Sequence, residues 1–406
     1  MPGAPPAGIP VPQDGRLEPA ALDRLGTVPF GIYVHVPFCA TRCGYCDFNT
    51  YTAAELGGGG SRDSYAGLAV AEVRLARSVL GAAAPPVSTV FFGGGTPTLL
   101  PPGDLARILG AIEAEFGLAA GAEVTTEANP DSVDLRSLAQ LREAGFTRIS
   151  LGMQSSAEHV LRVLDRSHTP GRPQQAVAWA RSAGFAQVSL DLIYGTPGES
   201  GADWERSVRS AIEAGPDHVS AYALIVEDGT RLAARIRRGE LDPPDDDEMA
   251  DRYLAADDLL TGAGLGWYEI SNWAAGPGSA CRHNLLYWTG ANWWGVGPGA
   301  HSHVGGNRWW NVRHPAAYAG RVTAGLSPGQ AGEVLTAGER ATERIMLETR
   351  LAAGCPVSAL GPAGRRAAAA AVAHGLAEPG AFGAGRIVLT RPGRLLADAV
   401  VRDLTG

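Results

Sequence analysis

Three stretches of this chain repeat one local grammar. AGFTRISL begins at Ala144, AGFAQVSL at Ala183 and AGPDHVSA at Ala214. Each reads as the end of a helix, a glycine able to take positive φ, and then a new strand. Helix–glycine–strand units in series mean parallel strands joined by crossover helices. The strands expected are 32–36, 87–92, 123–127, 148–152, 187–193 and 218–224. Between them lie helical stripes: Leu105, Ile108, Leu109, Ile112 and Phe116 stopped by Gly117, then Leu135, Leu138 and Leu141 stopped by Gly145. Six such units predict an α/β fold, a partial (β/α)6 TIM-like barrel with its site at the strand C-termini. A doubly wound sheet satisfies the same pattern, because pattern alone does not decide closure.

Composition narrows the chemistry. With 406 residues, 45% hydrophobic and 19% charged, the chain can bury a sizeable core. A net charge of −8 argues against a generic nucleic-acid or anionic-membrane binder. All 34 basic residues are arginine. A P-loop, a pyridoxal Schiff base and a kinase ion pair all need lysine and are excluded. No run of 18 apolar residues is present, so no transmembrane helix is expected. The start, MPGAPPAGIPVPQDGRLEP, lacks the basic and apolar regions of a secretory signal.

Four regions are expected: a disordered Pro/Ala-rich arm over 1–28, the barrel over 29–265, a Trp/His-rich segment over 266–330, and a small winged-helix-like α+β domain over 331–406. The last shows no focused basic face, so no nucleic-acid partner is expected. LGGGGS at 56–61 reads as a flexible surface loop, and DPPDDDE at 242–248 as a helix N-terminus bearing acids.

The strongest local signal is YVHVPFCATRCGYCDF, residues 33–48. A strand ends, Pro37 stops pairing, and a loop carries Cys39-x3-Cys43-x2-Cys46. Three of five cysteines within eight residues do not make a disulfide framework; they point to a reducing cytoplasm and a metal site. Thiolates packed on one loop suit an iron–sulfur cluster or zinc. Zinc would normally take four ligands in paired sets, and Cys281 and Cys355 lie far away without partners. His35 sits mid-strand and reads as packed. The spacing resembles the radical S-adenosylmethionine superfamily, whose signature follows the first barrel strand, with Tyr45 as the usual aromatic before the third cysteine. The resemblance implies a 4Fe–4S cluster held by Cys39, Cys43 and Cys46, whose open iron binds the amino and carboxyl groups of S-adenosylmethionine.

Polar residues recur at successive strand ends. FFGGGTPT (91–98) lets backbone approach a ligand closely. Glu127 in TTEANP needs a buried partner; Gln154 in RISLGMQS suits ribose hydroxyls; Arg166 in DRSHT is a carboxylate fork; Asp191 lies in SLDLIYGTPG. The spelling and order of these motifs resemble the coproporphyrinogen III dehydrogenase-like branch of the superfamily. By position, that resemblance assigns S-adenosylmethionine contacts to Tyr33, Tyr45, Gly94, Gly95, Thr96, Glu127, Gln154, Arg166 and Asp191.

Two departures separate this chain from the dehydrogenase itself, the oxygen-independent decarboxylase of porphyrin biosynthesis. Asp47 and Phe48 follow Cys46, where that enzyme has a further cysteine two residues on. CRHNLLYW (281–288) contains His-Asn-x-x-Tyr-Trp. Both features resemble the HemW-type heme chaperones, in which the motif histidine, here His283, is implicated in heme binding. Seven of nine tryptophans lie between Trp267 and Trp310, with His283, His301, His303 and His314 among or just after them. Flat aromatics and a neutral imidazole are what a porphyrin face and its iron need, although tryptophans more often fill cores. The resemblance therefore implies a heme chaperone with heme, S-adenosylmethionine and a 4Fe–4S cluster, acting in the cytoplasm on client hemoproteins such as respiratory-chain enzymes, with any membrane association through those clients. The alternative is the dehydrogenase.

Overall fold

Each expected helix–glycine–strand unit is formed. Gly145, Gly184 and Gly215 take φ of 104°, 87° and 72°, turning the chain from helix to strand where a side chain would be strained. The structure, a computed structural model, describes residues 7–56, 61–166 and 168–406. The glycines of the 56–61 segment lie outside the described residues.

Thirteen strands form one sheet. In chain order they are β1 (Ile9–Pro10), β2 (Phe30–Val36), β3 (Val87–Gly94), β4 (Leu118–Ala128), β5 (Arg148–Gln154), β6 (Gln187–Tyr194) and β7 (His218–Ala223). Then come β8 (Gly266–Glu269), β9 (Asn272–Ala274), β10 (Asn292–Val296), β11 (His301–Val304), β12 (Asn307–Asn311) and β13 (Gly329–Val334). The spatial order is β1-β13-β12-β11-β10-β2-β3-β4-β5-β6-β7-β9-β8. From β10 through β7 every neighbour is parallel, and the flanking ladders are antiparallel. β2 pairs onward with β10 and β7 with β9, so the six-strand barrel stays open.

The parallel strands are buried along most of their length but alternate in character: in β5 and β6, Ile149, Leu151, Val188, Leu190 and Leu192 alternate with Arg148, Ser150, Ser189 and Asp191. Every residue of β5 is buried, and Ile32, Val34, Val36, Val90 and Phe92 are fully enclosed. The helix Pro102–Phe116 buries Leu105, Ile108, Leu109, Ile112 and Phe116, the stripe expected for it. In the helix Leu135–Glu143, Leu138 and Leu141 are buried but Leu135 lies at the exposed start. The acidic run caps the helix Asp246–Gly262: Asp245 accepts from the Glu248 backbone, and three acids fill the first turn.

Three boundaries differ from expectation. The N-terminal arm is tied to the sheet: Ile9 and Pro10 pair with β13 while staying exposed, the Ser327 backbone N–H donates to the Gln13 carbonyl at 2.7 Å, and Ala21 is buried. Proline-rich composition hides this, because the arm gains its order from an open sheet edge. The 266–330 stretch is no separate segment: β8 and β9 extend one end of the sheet, and β10 to β12 the other. β13 also joins that sheet, so the appended unit starts later, at the helix Ala337–Glu348.

That unit has its own core, including Ile345, Cys355, Leu360, Ala368, Ile387 and Leu404. A short strand, Arg386–Ile387, pairs antiparallel with Cys355–Pro356, and Leu389 forms a single bridge with Ala377. The unit docks through Arg394, which forks onto Asp257 at 2.9 Å twice and lies 4.5 Å over the Trp267 ring. Among the described residues no helix is long and apolar enough to cross a membrane.

Candidate functional site

The cysteine loop leaves β2 at Pro37 and is pinned at both ends. The Tyr51 N–H donates to the Pro37 carbonyl at 2.7 Å, and the Cys39 N–H to the Tyr51 carbonyl at 3.0 Å. Mid-loop, the Gly44 N–H donates to the Leu164 carbonyl at 2.9 Å, and the Gly44 carbonyl accepts from Leu232 at 2.9 Å. A side chain at Gly44 would meet the Asp165 carboxylate. Cys39, Cys43 and Cys46 are free thiols, each partly exposed. Burial raises the Cys39 and Cys46 thiols, Cys46 to about 11, and mutual repulsion with Cys43 adds to it. Arg166 answers this charge: its guanidinium donates to Cys43 Sγ at 3.6 Å and to the Gly152 carbonyl at 3.1 Å.

Among the described residues no three His, Cys, Asp or Glu side chains converge tightly enough for one metal ion. Three soft thiolates spread along a pinned loop beside a guanidinium fit a multi-iron anionic cluster instead. Cys39, Cys43 and Cys46 are the residues that would hold it, and it would supply one-electron redox chemistry there.

His35 is packed, as its place in the strand implied. Its Nε2–H donates to the Asn49 carbonyl at 2.9 Å, so Nδ1 accepts from the Tyr33 hydroxyl at 3.0 Å. Burial holds it neutral, lowered to about 4.

The predicted nucleoside residues fall into two linked groups. Tyr33, Gly94 and Glu127 border one cavity of about 620 Å³. Gly94 takes φ 105°, and a Cβ there would lie 2.4 Å from the His35 ring; its N–H donates to Glu127 at 3.1 Å. Gly95 and Thr96 bond backbone to backbone with Val36 and Phe38 at 2.8 and 2.7 Å, locking the glycine loop under the cysteine loop. Burial raises Glu127 to about 8, and Asp191 adds to it. The carboxyl is thus poised to ionise against a cation.

Tyr45, Arg166, Gln154 and Asp191 form the second group. Tyr45 packs against the small apolar cluster of Val160, Leu164 and Ile193, beside Cys43 and Arg166. Asp191 accepts from the Ser150 hydroxyl at 2.9 Å; burial raises it, partly offset by Ser220 and Ser150. Gln154 sits at φ 65° and Asp165 at φ 50°, conformations that side chains seldom adopt and that cluster at functional sites. Gly152, which sequence reasoning passed over, lies beneath both Arg166 and Gln154, and a Cβ there would come within 2.8 Å of each.

The structure places His283 in the interior, 1% exposed and away from the cavity wall. Its Nδ1 bonds Thr89 Oγ1 at 2.8 Å and its Nε2 bonds the Tyr287 hydroxyl at 2.9 Å. Its backbone N–H donates to Glu123 at 3.0 Å, and its ring stacks 5.3 Å from Phe91. Burial lowers it to about 3, so it is neutral. A neutral imidazole has one N–H and one lone pair, and both are engaged; Tyr287 is the motif residue that reaches the cavity wall. The tryptophan expectation also narrows. Trp273, Trp294, Trp309 and Trp310 are buried in cores. Of the seven, Trp293 alone borders this cavity among the described residues. Sequence reasoning missed Asn49, Arg308 and Met346 in the cavity wall; nothing local in the sequence marks them, because they arrive from three separate elements.

The radical SAM superfamily model matches residues 33–211. A Mycobacterium tuberculosis (strain H37Rv) protein named heme chaperone HemW is 54% identical over 394 residues, covering 96% of this chain and 99% of that protein. The chain belongs to the HemW family of the radical SAM superfamily. The Escherichia coli K12 HemW is 38% identical over 279 residues, 68% of this chain and 70% of that one. The solved structure of Escherichia coli coproporphyrinogen III oxidase, HemN, aligns with a TM-score of 0.79 over 97% of this chain and 94% of that one, at 22% identity. That likeness confirms the partial barrel; the HemW relatives, not HemN, set the family.

Proposed function

We propose that this protein is a cytoplasmic heme chaperone: it binds heme as cargo and passes it to client hemoproteins, while carrying a 4Fe–4S cluster and S-adenosylmethionine. The observation that carries the reading is the 54% identity with a heme chaperone over nearly the whole of both chains. The cavity supports it. Tyr33, Gly94 and Glu127 lie at one end, while Tyr287, Trp293 and Arg308 border the same space. At about 620 Å³ it lies within the ~300–1,000 Å³ that ligand pockets span. Glu127, Gln154, Arg166 and Asp191 would bind and orient S-adenosylmethionine, with Gly94 and Gly95 letting backbone meet it. His283 acts by holding Tyr287 in place. The clients we infer are respiratory-chain enzymes, reached at the membrane only through those clients, and the C-terminal unit is read as winged-helix-like with no nucleic-acid partner.

The test is the purified protein with reconstituted cluster. Added heme should give a shifted Soret band, and the loaded protein should activate an apo-hemoprotein. Coproporphyrinogen III under reducing, anaerobic conditions should remain unconsumed. Robust decarboxylation by the wild type would overturn the chaperone reading in favour of the dehydrogenase.

A further inference from the structure

Arg308 stands on β12, and its two terminal nitrogens hold two different carboxylates. Nη1 donates to Glu343, and Nη2 lies 2.7 Å from Glu333. The acids arrive from different elements. Glu333 is the residue of β13 directly opposite Arg308 in the sheet. Glu343 lies on the helix Ala337–Glu348, which begins the C-terminal unit. They also differ in their relation to the cavity described above: Arg308 and Glu343 border it, and Glu333 does not. Glu333 thus fixes the guanidinium from the sheet, and Glu343 takes the bond on the cavity side.

A guanidinium fork on a cavity wall is a seat for a carboxylate. Glu343 fills that seat loosely. The Arg308 and Glu343 side chains are 33% and 30% exposed, so water screens the pair and holding it together contributes little. An incoming carboxylate exchanges for Glu343 at unchanged charge on Arg308, because Glu343 is released to solvent while Glu333 keeps the guanidinium in place. The rest of the wall says what that carboxylate is attached to. Phe48, Trp293, Met346 and Leu347 border the same cavity, and Arg313 brings a second guanidinium to it. An apolar, aromatic wall with arginines fits a flat apolar body that carries carboxylates at its edge.

We propose that Glu343 and a propionate of the heme cargo compete for one seat on Arg308. This deepens the heme-cargo reading above and rests on it. Arg308 is the specificity-determining residue for the carboxylate edge of the cargo, and Glu343 holds the same nitrogen, Nη1, until that edge arrives. No covalent bond forms or breaks and no electron moves; one N–H···O contact replaces another.

The experiment titrates ferric heme, and separately its dimethyl ester, into the full-length protein and into Arg308→Gln and Glu343→Gln, all in one dilute detergent. The ester keeps the macrocycle and the iron but carries no carboxylate. The readout is the dissociation constant from quenching of tryptophan fluorescence. The wild type should bind heme more tightly than the ester. Arg308→Gln should weaken heme binding by about tenfold, the worth of one charge-assisted bond. Glu343→Gln should tighten it by roughly twofold to fivefold, since the competing carboxylate is gone. Neither variant should move the affinity for the ester. Both substitutions break the same ion pair, so a merely structural role would shift heme binding in one direction in both. Shifts of the same sign, or an ester that follows heme through both variants, would overturn the proposal. Failure of the wild type to bind either compound would instead overturn the cargo reading.

Discussion

His283→Ala should destabilise this protein more than it disturbs heme ligation. The substitution leaves the Thr89 hydroxyl, 2% exposed, without its partner at 2.8 Å. A buried hydroxyl left unsatisfied costs about 1–3 kcal/mol. The Tyr287 hydroxyl loses its 2.9 Å bond too, but Tyr287 borders the cavity and water can replace the partner. The lost ring contacts with Phe91 and the void they leave add about 1–2 kcal/mol. The backbone bond from residue 283 to Glu123 survives, so the helix start persists. The sum, about 2–5 kcal/mol, should lower the melting temperature of the barrel by roughly 4–10 °C. Calorimetry of the purified apoprotein reads this directly. His283→Phe combined with Thr89→Val removes both polar partners while keeping a ring on Phe91, and it should be more stable than the sum of the single changes, a coupling of about 0.5–3 kcal/mol. A His283→Ala protein that melts like wild type yet no longer changes the Soret band of added heme would refute the packing argument and restore His283 as the ligand.

Replacing Cys39, Cys43 or Cys46 by Ala should abolish the visible iron–sulfur absorption after reconstitution, whereas Cys281→Ala and Cys355→Ala should keep it, because both of those thiols are buried elsewhere. Asp191→Ala should weaken S-adenosylmethionine binding by roughly ten- to a hundredfold in calorimetry, the worth of a charged contact of ~1.5–3 kcal/mol, with cluster content unchanged. Glu127 and Glu269 are raised to about 8 and Glu72 and Glu199 to about 7, each mainly by burial. The folded state therefore binds more protons than the unfolded chain between about pH 4.5 and 8, and these groups should lower stability as pH rises through that window. His35 and His283, lowered to about 4 and about 3, act oppositely and should cost stability as pH falls below about 6.5. A urea midpoint that rises monotonically from pH 5 to 9 would contradict this balance.

The barrel was legible in the sequence because its signals are local. A buried parallel strand needs β-branched apolar residues, a helix needs its 3.6-residue stripe, and the glycine between them needs positive φ; all three act within a dozen residues. The cysteine loop was legible for the same reason, since three ligands on one loop fix their own spacing. Local pattern therefore dictated the βα order, the Cys39–Cys46 loop and the polar residue at each strand end. Tertiary structure alone decided the rest. The arm at Ile9–Pro10 is ordered because β13, more than 300 residues away, presents an open edge. The family motif implied His283 as a heme contact, but only packing against Thr89 and Tyr287 shows that its lone pair is already used. Likewise, only the Ala291 carbonyl, 2.9 Å from Nδ1, sets the tautomer of His303. A histidine's place in the chain says that it can bind a metal; which of its nitrogens is free depends on partners that folding brings from elsewhere.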